Sequence, residues 1–117
     1  MIGSTRNVRV WAYSKPVDLR LGYNGLYGLV LTHLKGDPLS GDCFLFLNKN
    51  RNRAKVLFWD GTGLCIFMKR LERGRFAKLW HSPTPHLQLT MSELTLFLEG
   101  CQLVTKQPLS PAIFELS

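Results

Sequence analysis

The chain has 117 residues, of which 45% are hydrophobic and 20% charged, and its formal net charge is +7. This length fits one domain, and the composition is that of a packed globular protein rather than a disordered chain. The apolar stretches are shorter than the roughly 20 residues that cross a bilayer, and residues 1–6 lack the apolar segment of a secretory signal. We therefore expect a cytoplasmic protein that contacts no membrane, with a single domain over residues 1–106 and a loosely held tail over residues 107–117.

The three cysteines, Cys43, Cys65 and Cys101, stand far apart in the sequence. An odd number of cysteines with no Cys-x-x-Cys pair, and no histidine at zinc-finger spacing, argues against a disulfide framework and a structural zinc site. We expect all three to be small buried hydrophobic residues in a reducing compartment.

The first elements are predicted by hydrophobic periodicity. Apolar and polar residues alternate over residues 8–13, which predicts a strand that Pro16 ends. Apolar residues then recur at helical spacing over residues 23–34, followed by the helix-ending residues Gly36 and Pro38. A strand followed by an amphipathic helix is therefore expected at this end of the chain.

The middle of the chain is predicted to form a meander of strands. Short apolar runs occupy residues 43–47, 55–59, 64–68 and 76–80, and polar or glycine-containing turns separate them. Strands joined by so few residues pair in the antiparallel sense, because parallel neighbours need a crossover of about a dozen residues or more.

A second helix is predicted near the end of the domain. Thr90 and Glu93 have the spacing of a capping box, Leu89 and Leu94 that of a hydrophobic staple, and Gly100 is a helix-ending residue. Together these elements predict an α+β fold, in which an antiparallel sheet of four or five strands carries the two helices on one face.

The side chains that could support catalysis are few and scattered. His33 lies in the first predicted helix, and His81 and His86 lie in a proline-rich loop, with no spacing that suggests a metal. Two-metal hydrolysis of nucleic acid needs several converging carboxylates, whereas Asp60 reads as a turn residue and Glu72 as a partner of nearby arginines. We expect no enzymatic activity, no metal and no cofactor.

The positive charge is concentrated in residues 49–78, where nine basic residues stand against Asp60 and Glu72. Such a surface favours polyanions through phosphate contacts and counterion release, although basic residues also solvate the ends of strands. The candidate nucleic-acid-binding residues are Lys49, Arg51, Arg53, Lys55, Lys69, Arg70, Arg73, Arg75 and Lys78. Most of them fall in two turns, which need not lie at opposite ends of a meander.

Aromatic residues accompany these basic residues on the predicted strands. Phe58, Trp59 and Phe67 could stack on nucleobases if they were exposed. A domain of this size also needs aromatic residues in its core, and we favour the core assignment for them.

Two stretches of this central segment resemble motifs of a known protein family. VLFWDGTGLC (residues 56–65) and KRLERGRF (residues 69–76) resemble the small TnpB accessory proteins of the insertion sequence 66 family of transposable elements. PVDLR (residues 16–20), followed by GYNGL (residues 22–26), is similar to the N-terminal motif of that family. The resemblance covers roughly residues 8–100, and it does not extend to the unrelated, much larger RNA-guided nuclease that shares the name TnpB.

The resemblance implies an accessory role in the transposition of a bacterial insertion sequence, beside a separate transposase. It carries over no catalytic residues. Combined with the basic segment, it suggests a non-catalytic protein that binds DNA at the transposon ends. The alternative is an interaction module that binds the cognate transposase or the element's other accessory protein, for which the acidic last third of the chain is a candidate surface. The salt dependence of DNA binding would separate the two.

Overall fold

The computed structural model describes residues 8–80 and 84–100 of the chain. Strand β1 (Val10–Tyr13) precedes helix α1 (Tyr23–Leu29), which continues as a π-helical turn (Val30–Leu34). The remaining elements are β2 (Cys43–Leu47), β3 (Arg53–Trp59), β4 (Leu64–Arg70), β5 (His86–Leu89) and α2 (Met91–Glu99). The predictions for His81, Cys101 and residues 107–117 lie outside the described residues.

The five strands within the described residues form one sheet in the order β4-β3-β2-β1-β5. The predicted meander is confirmed for its first three strands, because β2, β3 and β4 pair in the antiparallel sense. Strands β1 and β5 are antiparallel as well. The pairing of β1 with β2 is parallel, since the chain between them crosses over through α1. The predicted α+β class and the mostly antiparallel sheet are therefore confirmed.

The prediction that both helices pack on one face of the sheet is wrong. Strand β2 is buried at every position, so its apolar run needs a cover on both sides. Phe44 and Phe46 pack with the buried residues of α1, whereas Leu45 packs with Leu94 and Phe97 of α2. The two helices consequently lie on opposite faces, and the sheet is the middle layer of the domain.

The predicted strand over residues 76–80 is not formed. This segment is irregular, although Phe76, Ala77 and Leu79 are buried in the cluster on the α2 face of the sheet. Its side chains therefore fill the core, whereas its backbone does not pair with a strand of the sheet. Strand β5 was not predicted, and its first residue, His86, was expected in a proline-rich loop; the strand pairs with β1 at the opposite edge of the sheet.

The predicted start of α2 is confirmed in detail. The Thr90 hydroxyl oxygen accepts the amide of Glu93 at 3.0 Å, and the Glu93 carboxylate accepts the amide of Thr90 at 2.8 Å. This reciprocal capping box satisfies two amides that have no partner within the helix. Among the described residues, no helix has the length and apolar character needed to cross a membrane.

Candidate nucleic-acid interface

Two basic turns meet at one end of the sheet. The turn between β2 and β3 (residues 48–52) lies beside the segment that follows β4 (residues 71–75). The Leu71 amide donates to the Asn52 carbonyl at 2.8 Å, and the Phe76 amide donates to the Arg51 carbonyl at 2.7 Å. We call these two segments, with the strand ends Arg53 and Arg70 between them, the basic end of the sheet.

Asparagine side chains organise the β2–β3 turn. The Asn48 carboxamide oxygen accepts the amides of Asn52 and Arg53 at 3.0 Å each, and the Asn48 amino group donates to the Asn52 side chain at 2.7 Å. Arg51 adopts a left-handed backbone conformation with φ of 60°. The polar run of the sequence is therefore a closely hydrogen-bonded turn that presents its basic residues in fixed positions.

Several predicted binding residues donate side-chain hydrogen bonds to backbone carbonyls of the protein, so these side chains have a structural role. The Arg51 guanidinium donates to the Phe76 carbonyl at 3.1 Å. Lys55 Nζ donates to the Leu21 carbonyl at 2.9 Å, and Lys69 Nζ donates to the Leu98 carbonyl near the end of α2 at 2.7 Å. These three cations hold neighbouring segments against the sheet, and Arg51 does so within the basic end.

The register places two like charges opposite each other. Arg53 of β3 faces Arg70 of β4 directly, an arrangement that is unfavourable unless a counter-charge is present. Glu72 provides one, because its carboxylate lies 3.0 Å from the Arg70 guanidinium. The predicted partnership of Glu72 with a neighbouring arginine is thus confirmed, and it leaves Arg53 without a carboxylate partner among the described residues.

The remaining predicted cations are exposed and open. Within residues 8–80 and 84–100, no ion pair or hydrogen bond engages the side chains of Lys49, Arg53, Arg73, Arg75 and Lys78. The first four belong to the basic end. Lys78 lies farther along the chain, in the irregular segment between the buried residues Ala77 and Leu79.

An open groove of about 520 Å³ adjoins the basic end. The segment that carries the PVDLR motif forms one wall, and the β2–β3 turn forms the other. The Val17 amide fixes the first wall by donating to the Leu47 carbonyl at 3.0 Å. The charged lining residues are Asp18, Arg20, Lys49 and Arg53. Arg20 was not among the predicted site residues. It is the last residue of the PVDLR motif, and that motif is the sequence feature that could have identified it.

Asp18 and Arg20 form an exposed ion pair at the groove. The closest contact joins Arg20 Nη2 to Asp18 Oδ2 at 2.7 Å. Hydrogen bonds from the Arg20 side chain and amide lower the pKa of Asp18 to about 2. Asp18 is therefore an ionised partner of Arg20 at neutral pH, which does not suit it to general acid catalysis.

The other notable polar residues stand apart from the basic end. Asp60 caps the β3–β4 turn, where its Oδ1 accepts the amides of Thr62 and Gly63 at 2.9 Å each, and these bonds lower its pKa. Burial raises the pKa of the Cys43 thiol to about 11, as expected for a hydrophobic core cysteine, whereas Cys65 is only half-buried. Over the described ranges, no three His, Cys, Asp or Glu residues converge to hold a metal.

The aromatic residues of the meander have different environments. Phe58 and Trp59 are half-buried, and Phe58 packs against the core on the α2 face. Phe67 is 46% exposed on strand β4 at the sheet edge. The core assignment therefore fits Phe58 better than Phe67.

Comparison with known proteins gives a consistent match. A family model described as "IS66 Orf2 like protein" matches residues 8–108, which include the whole basic end and groove. In Sinorhizobium fredii, the uncharacterized protein y4hO is 38% identical over 101 residues, covering 86% of each chain. The uncharacterized protein y4jC of the same organism is 43% identical over 76 residues, and this chain spans 65% of its length. No solved structure matches.

Proposed function

Because the chain belongs to the IS66 Orf2-like family, we propose that it acts as a non-catalytic accessory protein in the transposition of an insertion sequence. In this role it binds DNA at the ends of the element through the basic end of the sheet. The proposal joins the membership of an insertion-sequence family to the physical chemistry of one surface.

The observation that carries the proposal is the joining of two basic turns into one surface. Backbone hydrogen bonds link residues 48–52 to residues 71–76, so the backbone positions that carry their exposed cations keep a fixed spacing. Lys49, Arg53, Arg73 and Arg75 have no carboxylate partner within the described residues. Fixed, uncompensated positive charge attracts the phosphates of nucleic acid and releases their condensed counterions.

The residue types also fit phosphate. Arg53, Arg73 and Arg75 carry planar guanidinium groups whose donors match two phosphate oxygens at once. Arg20 is held against Asp18, so it retains only part of its donor capacity for a ligand in the groove. Contacts of this kind position a protein on the backbone without reading bases, and we expect little dependence on DNA sequence.

The deciding experiment measures DNA affinity of the purified chain across a range of salt concentrations. The five open cations are the four of the basic end and Lys78, and if all five meet phosphates, log K falls with log salt at a slope of roughly −4 to −5. Replacing both Arg73 and Arg75 by alanine should flatten the slope by about 2. The unfolding free energy should change by less than about 0.5 kcal/mol, because both side chains are exposed and Glu72 pairs with Arg70 instead.

A matched control removes the same charge elsewhere. Lys15 and Lys35 are exposed and lie outside the basic end, and asparagine tolerates the φ of 55° at Lys35. The variant Lys15→Ala with Lys35→Asn should therefore keep the slope of the unmodified protein. Equal slopes in all three proteins, or equal flattening in both variants, would contradict phosphate binding by the turn that holds Arg73 and Arg75.

The absence of catalysis is a separate part of the proposal. Two of the carboxylates nearest the basic segment have structural roles rather than an arrangement suited to catalysis, since Asp18 pairs with Arg20 and Asp60 caps a turn. Labelled element ends incubated with the protein and Mg²⁺ or Mn²⁺ should stay intact. Cleavage that disappears in an Asp18→Asn or Asp60→Asn variant would overturn this part.

A second candidate function is recruitment or regulation of the transposase without DNA contact. The outer side of α2 favours it, because Met91 is 40% exposed there and Glu99 adds an exposed acidic residue. The cognate transposase, or the other accessory protein of the element, would then be the partner. Co-expression should recover a complex that Met91→Arg weakens, with a salt slope near zero for DNA. If neither the transposase nor the other accessory protein co-purifies with the chain, with or without DNA, this second function is excluded.

A further inference from the structure

Among the parts of the chain that the structure describes, strand β4 forms an edge of the sheet with unusually apolar exposed positions. It is seven residues long and lies at the end of the strand order. Met68 is 59% exposed and Phe67 is 46% exposed, on opposite faces of the strand. A long apolar edge strand is a template for an added strand, and proteins usually shorten it, charge it or cover it.

The hairpin geometry shows which backbone groups face outward. The Asp60 amide donates to the Gly63 carbonyl at 3.1 Å, and the Leu71 amide donates to the Asn52 carbonyl at 2.8 Å. Both contacts belong to hydrogen-bonded pairs, in which the backbone groups face the partner strand. Between these two ends of the antiparallel ladder, such pairs alternate with non-hydrogen-bonded pairs, whose backbone groups face away from the partner strand. The amides and carbonyls directed away from β3 are therefore those of Leu64, Ile66, Met68 and Arg70.

We propose that β4 pairs in the antiparallel sense with β4 of a second copy of this chain, centred on Phe67, so that the two sheets become continuous. In this register Phe67 faces the same residue of the second copy, and Ile66 faces its Met68. All seven positions of the strand are then paired, and both exposed apolar residues gain an apolar neighbour.

The charges along the strand favour this occupant and this direction. Lys69 and Arg70 stand at one end of β4, and the Asp60 turn stands just beyond the other. Antiparallel self-pairing sets Lys69 against Cys65 of the second copy and places Arg70 near its Asp60 turn. A parallel arrangement would instead set the basic ends side by side, which costs energy through like-charge repulsion.

The symmetry of the pairing limits the assembly to two copies at this edge. Each copy contributes the same strand about a two-fold axis, so the contact is isologous and closed. The interface is small, because it consists mainly of one strand from each copy. We therefore expect a weak dimer, with a dissociation constant in the range of roughly 1–100 μM.

The test is sedimentation of the purified full-length chain, in reducing buffer and without DNA, across that range of concentrations. The average mass should rise from that of one chain to that of two. Met68→Pro removes an outward amide but no bond to β3, as proline is tolerated at such edge positions. It should weaken association at least tenfold. Leu31→Lys is the control, because Leu31 is 49% exposed outside the strand and should leave association unchanged.

A cysteine variant tests the register. Residues facing each other at a non-hydrogen-bonded pair have Cα atoms about 4.5 Å apart, within disulfide range. Phe67→Cys should therefore cross-link to a dimer on mild oxidation, whereas Leu31→Cys should not. The proposal is overturned if the chain stays monomeric, if Met68→Pro associates normally, or if both cysteine variants cross-link alike. It is also overturned if a monomeric chain binds the transposase through β4 in a manner that Met68→Pro abolishes.

Discussion

Arg51 and Phe76 are joined by two hydrogen bonds, although 25 residues separate them in the sequence. The Arg51 guanidinium donates to the Phe76 carbonyl at 3.1 Å, and the Phe76 amide donates to the Arg51 carbonyl at 2.7 Å. One residue thereby connects the β2–β3 turn to the segment after β4. The positions of the exposed arginines on both segments consequently depend on Arg51, whose own guanidinium forms a structural hydrogen bond.

Replacing Arg51 should lower stability in a way that depends on backbone conformation. Arg51→Ala loses the side-chain bond to Phe76, which we expect to cost about 1–2 kcal/mol of unfolding free energy. Arg51→Gly loses the same bond but adopts φ of 60° without strain, so it should be less destabilised by about 1 kcal/mol. Urea denaturation of both variants measures the difference, and equal stabilities would contradict it.

Local sequence signals were sufficient where each element was determined by its own residues. The apolar run of β2 was predicted at Cys43–Leu47, and the capping box placed the start of α2 correctly. The side of the sheet on which each helix packs depends on contacts among distant segments, so it could not be read locally. Strand β5 was missed because it is short and follows a proline-rich stretch that indicates a loop.

The candidate site was predictable as a set of charges but not as a set of roles. Sequence counting identifies every basic residue between Lys49 and Lys78, and the structure does bring two of the turns together. The positions of these residues in the sequence do not show that Lys55 and Lys69 donate to backbone carbonyls. The acceptors are Leu21, just before α1, and Leu98 in α2, which lie 34 and 29 positions away in the sequence. Arg20 was missed for the same reason, since its place beside the β2–β3 turn is a tertiary relationship.

The irregular segment after the basic end should contribute to the core as much as a strand would. The Phe76 ring stacks on Phe97 with centroids 5.2 Å apart, and both residues are fully buried. Phe76→Ala should therefore lower the unfolding free energy by about 3–5 kcal/mol. The exposed neighbour Arg75 provides the control, since Arg75→Ala should change it by less than about 0.5 kcal/mol. A similar small loss in both variants would show that the segment is not part of the core.

The Asp18–Arg20 pair should make stability depend on acid pH. The pKa of Asp18 falls from its ordinary value of 3.8 to about 2 on folding, so the folded state favours the ionised form. The stabilisation is therefore present above the unfolded pKa and is lost as pH falls from about 4 towards about 2. Unfolding curves of the protein and of Arg20→Ala should differ at pH 6 and converge near pH 2.

Ionic strength provides a second check on this pair. Both side chains are exposed, so salt should reduce the difference between the protein and Arg20→Ala at pH 6. An NMR titration should also show the Asp18 pKa moving back towards its ordinary value in Arg20→Ala. A difference in stability that persists unchanged at pH 2 would assign it to packing rather than to the charge pair.

Lys69 and Lys78 should separate the structural and DNA-binding contributions of positive charge. Lys69 Nζ donates to the Leu98 carbonyl in the last turn of α2, where a cation also interacts favourably with the helix dipole. Lys69→Met keeps the aliphatic part of the side chain but removes the donor, and should cost about 1–2 kcal/mol of unfolding free energy. Lys78 is exposed, so Lys78→Met should leave stability within about 0.5 kcal/mol.

DNA binding should show the opposite order. If Lys78 meets a phosphate, Lys78→Met flattens the plot of log K against log salt by about 1, whereas Lys69→Met leaves its slope unchanged because that ammonium is already engaged. The two variants lose the same charge, so long-range electrostatics alone would affect them equally. Measuring unfolding and salt dependence on both therefore isolates the contact made by each lysine. Identical behaviour in the two assays would mean that position relative to α2 does not determine the role of either residue.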